Sequence, residues 1–221
     1  NAVSFNQNLS DWNVSSASNM SNFFENSHAL SNSNKGKIHE AFSTNSNWPY
    51  DWRQYVVIDD SNFQSAVNLW FDNQAEANAT YGHISDWNTS AVTDMSNAFK
   101  DRSTFNEDIS GWDVSNVRFM QQMFMNASSF NQPIGTWDVS NVKTIQGFLH
   151  GASSFNQPIG NWDVSSFTHC ANFFNSATSF NQPIGDWNVS SAVHMGGMVF
   201  NTTPFNQPSG DWNTSSMVTS Y

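Results

Sequence analysis

Tryptophan recurs at 87, 112, 137, 162, 187 and 212, each 25 residues after the last, and Trp12 lies three such periods before Trp87. Self-similarity at this period marks a stacked repeat, in which one unit cannot bury its apolar face except against its neighbours. With Trp as position 0, position 2 carries Thr89, Val114, Val139, Val164, Val189 and Thr214, and position 8 carries Met95, Met120, Ile145, Cys170 and Met195. Position 12 holds Phe99, Phe124, Leu149, Phe174 and Val199, and position 18 is Phe at 105, 130, 155, 180 and 205. Ile109, Ile134, Ile159 and Ile184 fill position 22.

Neither one helix nor one strand satisfies these intervals, whereas one coil of an α/β solenoid does: short parallel strand, corner, short helical turn, corner. Trp-x-Val alternates with the period of a strand, so Asn88, Asp113, Asp138, Asp163, Asn188 and Asn213 between the two large residues are expected to face solvent. Ser96 to Lys100 and Ala171 to Asn175 suit the helical turn, and Asn131-Gln132-Pro133 suits a corner, where proline fixes φ. The phenylalanine column reads as core.

The unit Phe155-Asn156-Gln157-Pro158-Ile159-Gly160-Asn161-Trp162-Asp163-Val164-Ser165 resembles the repeat of the BspA-like leucine-rich-repeat surface proteins, over residues 1–30 and 80–221. That resemblance implies a curved, right-handed, leucine-rich-repeat-like coil on the outside of a cell, in a family not known as enzymes. Trp, Met and Phe stand here where better-known repeats have leucine.

Residues 31–80 break the period. Ser61-Asn62-Phe63-Gln64 has the form of a capping box, and Phe63, Val67, Trp70 and Phe71 make an apolar stripe for a helix to about Ala77. Ser31 to Phe42 reads as another helix with Ile38, Ala41 and Phe42 on one face, and Tyr55 to Ile58 as strand-like. The expected organisation is therefore a terminal repeat of a first array (1–30), a cap and linker (31–60), an N-terminal capping helix (61–80) and the main array (81–221).

The chain opens on Asn1 instead of Met and stops nine residues past Trp212, so its two ends read as complementary cuts through one repeat. This predicts a head-to-tail contact between copies, with Phe5, Trp12 and Val14 of one meeting Trp212, Met217, Val218 and Tyr221 of the next, and a filament as the product of a contact that does not close. The alternative is a window of a longer chain in which the same junction is covalent.

Seven Lys and Arg against eighteen Asp and Glu give a net charge of −11. Such a chain is a poor partner for nucleic acid, whose phosphates call for clustered cations. No apolar run reaches the ~18 residues of a membrane span, so membrane insertion is not expected. The 10 Trp and 19 Phe supply ample core and argue against disorder. A single cysteine, Cys170, rules out an intramolecular disulfide framework and a cysteine-based zinc site, and its place in a core column marks it as inert.

Asn-x-Ser/Thr sequons occur at Asn8, Asn13, Asn19, Asn78, Asn88, Asn126, Asn188, Asn201 and Asn213, which makes these the candidate N-glycosylation sites of a eukaryotic secretory protein. Asp113, Asp138 and Asp163 share one position in three successive repeats, a site for bridging calcium or a hydrated acidic ridge. His169 and His194 also share a position, without a third ligand close in sequence. No Gly-x-Ser-x-Gly elbow or phosphate loop is present, and Asp59-Asp60 and Glu107-Asp108 recur in no column. The function expected is a non-enzymatic extracellular or cell-surface structural protein, a glycosylated filament or surface-layer subunit. The alternative is a recognition module that binds a glycan or protein ligand through its concave face and aromatics such as Trp48, Tyr50 and Trp52.

Overall fold

The computed structural model describes residues 3–202, 204–208 and 212–218. They fall into two units, residues 1–58 with 65–87 and residues 59–64 with 88–221. The expected α/β solenoid, with its parallel strands and helical turns, is not what the chain forms. Among the described residues there is no strand and no sheet, and the α-helices are three short ones, α1 (Asn32–Phe42), α2 (Phe63–Asp72) and α3 (Gln74–Tyr81). The leucine-rich-repeat coil, which needs a strand in every repeat, falls with it.

In the second unit the periodic columns do stack, on a scaffold of turns. Trp-x-Val, where strands were expected, forms no bridge among the described residues; neighbouring repeats share one isolated parallel bridge each at position 7 instead, running Asp94, Phe119, Thr144, His169, His194. Extension stops there because β-turns flank the bridge: Val117 N–H returns to Val114 O and Val142 N–H to Val139 O, both at 2.9 Å. Where a helical turn was expected, overlapping β-turns follow one another, with Ala98 N–H on Met95 O, Lys100 N–H on Asn97 O and Arg102 N–H on Phe99 O. Positions 10 and 14 carry positive φ: 62° at Asn97, 61° at Asp101, 54° at Gln122, 59° at Asn126, 62° at Gly147 and 71° at Gly151. A left-handed residue cannot continue an α-helix. The freed amides of Met95, Asn97, Phe99 and Asp101 donate instead to the carbonyls of Phe119, Gln121, Met123 and Met125 in the next repeat, at 2.7–2.9 Å.

Side chains repeat the same registration. Phe105, Phe130, Phe155, Phe180 and Phe205 form a near-parallel column with successive ring centroids 5.9, 5.9, 6.1 and 6.1 Å apart. The indole N–H groups of Trp137, Trp162, Trp187 and Trp212 each donate to an isoleucine carbonyl one repeat back, at 3.1–3.2 Å. Asn131, Asn156, Asn181 and Asn206 each place their amide N–H on the Oδ1 of the asparagine 25 residues earlier, at 2.9–3.2 Å. The corner carbonyls of Pro158, Pro183 and Pro208 approach Gly135, Gly160 and Gly185 of the preceding repeat, so a Cβ on Gly160 would meet Pro183 O at 2.6 Å. Among the described residues no buried side-chain nitrogen or oxygen lacks a partner, which is what a stack that buries asparagine and tryptophan polar atoms requires.

The first unit packs Leu9, Met20, Phe24, Leu30, Ile38 and Phe42 into a core edged by Phe5, Trp48, Tyr50 and Trp52. Helix α1 is capped by Ser31, whose hydroxyl accepts from Asn34 N–H. It buries Ile38, His39 and Phe42, whereas Ala41, expected on that face, is exposed. Its Gly36 lies so close to the Tyr55 carbonyl that any Cβ would collide with it. Tyr55, expected to begin a strand to Ile58, closes a 3-10 turn (Arg53–Tyr55) instead, and no strand follows it among the described residues. The helix expected to run to Ala77 breaks at Asn73, whose side chain accepts from Glu76 N–H and so starts α3. Helix α1 is tied to α3 by Ser43 to Thr80 at 2.9 Å and by Tyr81 Oη donating to Glu40 Oε1 at 2.9 Å.

Candidate ligand-binding groove

Within the second unit, residues 59–64 take the place of a preceding repeat. Asp59 forms a parallel bridge with Ala91. In later repeats the position 6 and 7 amides donate to a backbone carbonyl of the repeat before, as Arg118 and Phe119 do to Thr93 O. At Thr93 and Asp94 the Asp60 carboxylate supplies that acceptor: Oδ1 takes Thr93 N–H at 2.7 Å and Asp94 N–H at 3.1 Å, and Oδ2 takes the Thr93 hydroxyl at 2.6 Å. Desolvation alone would raise the Asp60 carboxyl, but these three donors outweigh it and hold it below the ordinary carboxylate value.

This substitution opens a groove of about 690 Å³ lined by Asp60, Phe63, Gln64, Thr93, Asp94, Ser96, Asn97 and Phe119. Phe63 is buried and meets Trp112 edge to face at 5.8 Å. Phe119 is different. Its position 7 column otherwise holds Asp94, Thr144, His169 and His194, and its ring is 39% exposed. An aromatic ring presented among carboxylate, amide and hydroxyl groups offers a stacking surface and directional hydrogen bonds together. Sequence reading missed Phe119; the signal was one aromatic residue in a polar column.

The nine sequon asparagines lie at the surface, all exposed except the half-buried Asn78. Their recurrence has a structural cause. Asn8, Asn13, Asn19, Asn88, Asn188 and Asn213 each accept the N–H of the serine two residues on, at 3.0–3.2 Å. These are Asx turns, which need an acceptor at the first residue and take Asn or Asp equally. Asp113, Asp138 and Asp163 close the same turn on Ser115, Ser140 and Ser165 at 3.0–3.1 Å. Asn126 and Asn201 occupy positive-φ sites at 59° and 56°, where asparagine is favoured. Eight of the nine sequons are thus turn signatures, Asn78 lies within helix α3, and the pattern gives no support to glycosylation.

The serine side-chain and backbone donors hold Asp113 and Asp163 below the ordinary carboxylate value. Among the described residues no group of three His, Cys, Asp or Glu is placed to hold a metal ion. His169 and His194 stack with ring centroids 4.8 Å apart. Cys170 is buried, and burial pushes its thiol up to about 12.

The described residues expected to join copies each make contacts within their own unit. Phe5 packs on Phe24 at 6.4 Å, and Val14 edges the core of the first unit. Trp12 is 56% exposed against Phe23, unlike the buried tryptophans of the later repeats. Trp212 and Val218 bond back to Ile184 O and Val193 O, Met217 N–H turns onto Thr214 O, and Tyr221 lies outside the described residues. The filament expectation gains no support from this arrangement.

Trp48, Tyr50 and Trp52, expected as exposed binding aromatics, are half-buried, with Tyr50 and Trp52 stacked at 4.8 Å. Trp48 Nε1–H donates to His39 Nδ1 at 2.9 Å, and His39 Nε2 lies 3.0 Å from Ala79 O. An indole N–H only donates, so Nδ1 is the bare nitrogen and Nε2 carries the proton toward Ala79. Burial lowers His39 below its ordinary value. Asp51, hydrogen-bonded by the Arg53 guanidinium at 2.6 Å, is held down to about 2. No helix among the described residues is long and apolar enough to cross a membrane.

No curated protein and no solved structure matches the chain. The family described as "Mycoplasma protein of unknown function, DUF285" matches four overlapping stretches, residues 1–69, 37–148, 66–172 and 132–221, which together span the sequence. Overlap of this kind is what a repeat produces, since one pattern fits in several registers. The chain belongs to the DUF285 family.

Proposed function

We propose that this protein is a non-enzymatic scaffold at the cell surface or outside the cell, which recognises a saccharide ligand in the Phe119 groove. The observation that carries the reading is the 39% exposed Phe119 ring beside Asp60, Gln64, Asp94, Ser96 and Asn97. Sugars present an apolar C–H face and a ring of hydroxyls, and an aromatic platform edged by polar side chains is complementary to both. A non-catalytic role is supported by how the groove's carboxylates are engaged: Asp60 serves backbone and hydroxyl donors, and Asp94 Oδ1 accepts Ser96 N–H at 2.8 Å. Neither is poised as a proton shuttle. The outside location is supported by the resemblance of the Phe-Asn-Gln-Pro-Ile-Gly-x-Trp-Asp-Val-Ser unit to BspA-like surface proteins.

The test is calorimetric titration of the whole chain with a panel of oligosaccharides, alongside Phe119→Ala. Phe119 is not part of the buried core, so the variant is expected to keep its melting temperature and lose binding at least ten-fold. Binding that Phe119→Ala leaves intact would remove the groove from the account.

A further inference from the structure

The charge distribution beside the groove narrows the ligand. The chain carries a net −11, and the second unit has four Lys and Arg residues, Lys100, Arg102, Arg118 and Lys143. Arg118 and Lys143 hold position 6 in consecutive repeats, joined by the bond from Lys143 N–H to Arg118 O at 2.9 Å. Backbones bonded in this way lie ~4.8 Å apart, so two like charges are stacked in a protein rich in acid. Both side chains are exposed, and neither makes a hydrogen bond or ion pair within the described residues. By contrast Lys100 Nζ donates to Gln122 Oε1 at 2.8 Å. Asp94, one repeat before Arg118, forms no ion pair with it, and positions 6 and 7 contain no carboxylate from there to Val218.

Phe119 follows Arg118 directly and shares an isolated bridge with Thr144, the residue after Lys143. The stacking surface and the unpaired cations therefore stand in adjacent columns of adjacent repeats. Asp94 precedes Phe119 in the bridge column, and Asp60 accepts the Asp94 amide. Along the stack, the carboxylates of Asp60 and Asp94 are followed by Phe119 with Arg118 and then by Lys143.

We infer that the ligand is an acidic saccharide, its ring on Phe119, its neutral hydroxyls toward Asp60 and Asp94, and its anionic group held by Arg118 and Lys143. The inference rests on the Phe119 groove being a saccharide site. The shared chemistry is an anionic sugar; a carboxylate and a sulfate ester are its two sources. A guanidinium beside an ammonium accommodates either, with the guanidinium offering two parallel donors to a planar carboxylate.

The whole chain is titrated with a hyaluronate oligosaccharide, a heparin oligosaccharide and a neutral dextran oligosaccharide of similar length, at low and physiological salt. At least one acidic probe is expected to bind ten-fold or more tightly than dextran, with the advantage shrinking as salt rises. Whether hyaluronate or heparin binds more tightly identifies the anionic group. The double variant Arg118→Gln, Lys143→Gln is expected to bring the acidic probe down to the dextran level and leave dextran binding and the melting temperature unchanged. Equal binding of dextran and both acidic probes, all lost in Phe119→Ala, overturns the acidic-ligand inference and leaves the saccharide reading standing. Absence of binding by all three overturns both.

Discussion

Removing one ring from the phenylalanine column tests how far the energetics are nearest-neighbour. Phe155 is the cleanest position, because Leu149 replaces phenylalanine at position 12 of its repeat and its ring contacts are Phe130 at 5.9 Å and Phe180 at 6.1 Å. The ring is fully buried. Phe155→Ala removes the transfer free energy of a phenyl group and leaves a cavity that corner backbone on both sides prevents from collapsing, so a loss of about 3–5 kcal/mol is expected. Of this, about 0.5–1.5 kcal/mol belongs to each aromatic contact. Urea unfolding of single and double variants separates the two parts. Phe130→Ala with Phe155→Ala should show coupling of about 0.5–1.5 kcal/mol, whereas Phe105→Ala with Phe180→Ala, three repeats apart, should be additive within ~0.5 kcal/mol. Coupling that ignored separation, or a Phe155→Ala cost under about 1 kcal/mol, would refute column packing as the source of stability.

Other consequences follow from the same structure. His39 is lowered by burial, so the native state takes up its proton less readily than the unfolded chain; its contribution is present above about pH 6.5 and lost as pH falls below it. A pH series on wild type and His39→Gln should show that dependence flattened in the variant. At the Asx turns, Asp163→Asn should leave the melting temperature unchanged, while Asp163→Ala should cost about 1 kcal/mol through the lost Ser165 bond. Asp60→Ala leaves the Thr93 and Asp94 amides without their acceptor and should cost about 1–3 kcal/mol in thermal unfolding. Cys170 should resist alkylation at neutral pH in the native state and react on denaturation, because burial keeps the thiol protonated.

The columns were legible because burial imposes apolar identity at fixed spacing, and Trp, Phe and Ile at positions 0, 18 and 22 record it. Backbone conformation between the columns was not. Trp-x-Val has the local period of a strand, but it pairs with nothing among the described residues, and the one bridge per repeat falls at position 7, with turns on either side. The supposed helical turn carried a signal that could have corrected it. Positions 10 and 14 read Asn, Gln, Gly, Asn, Gly and Asp, Asn, Gly, Ser, Asn, residues weighted toward those that tolerate positive φ. The interchange of Asn and Asp after tryptophan likewise pointed to an Asx turn, since a glycan acceptor cannot be Asp. Phe119 stood out by its column alone, and only the Asp60 contacts revealed the groove beside it.

The most direct test of the account is a set of spin-label distances along one exposed column. Gly111, Thr136, Asn161 and Asp186 share position 24 and face solvent. With cysteine at residue 111 paired in turn with cysteine at 136, 161 and 186, and with Cys170 protected by burial, the distance should grow by a constant step of about 5 Å per repeat. Distances that jump irregularly, or that fail to increase with each 25 residues, would contradict the stacked registration on which the groove, the cation pair and the ladders all depend.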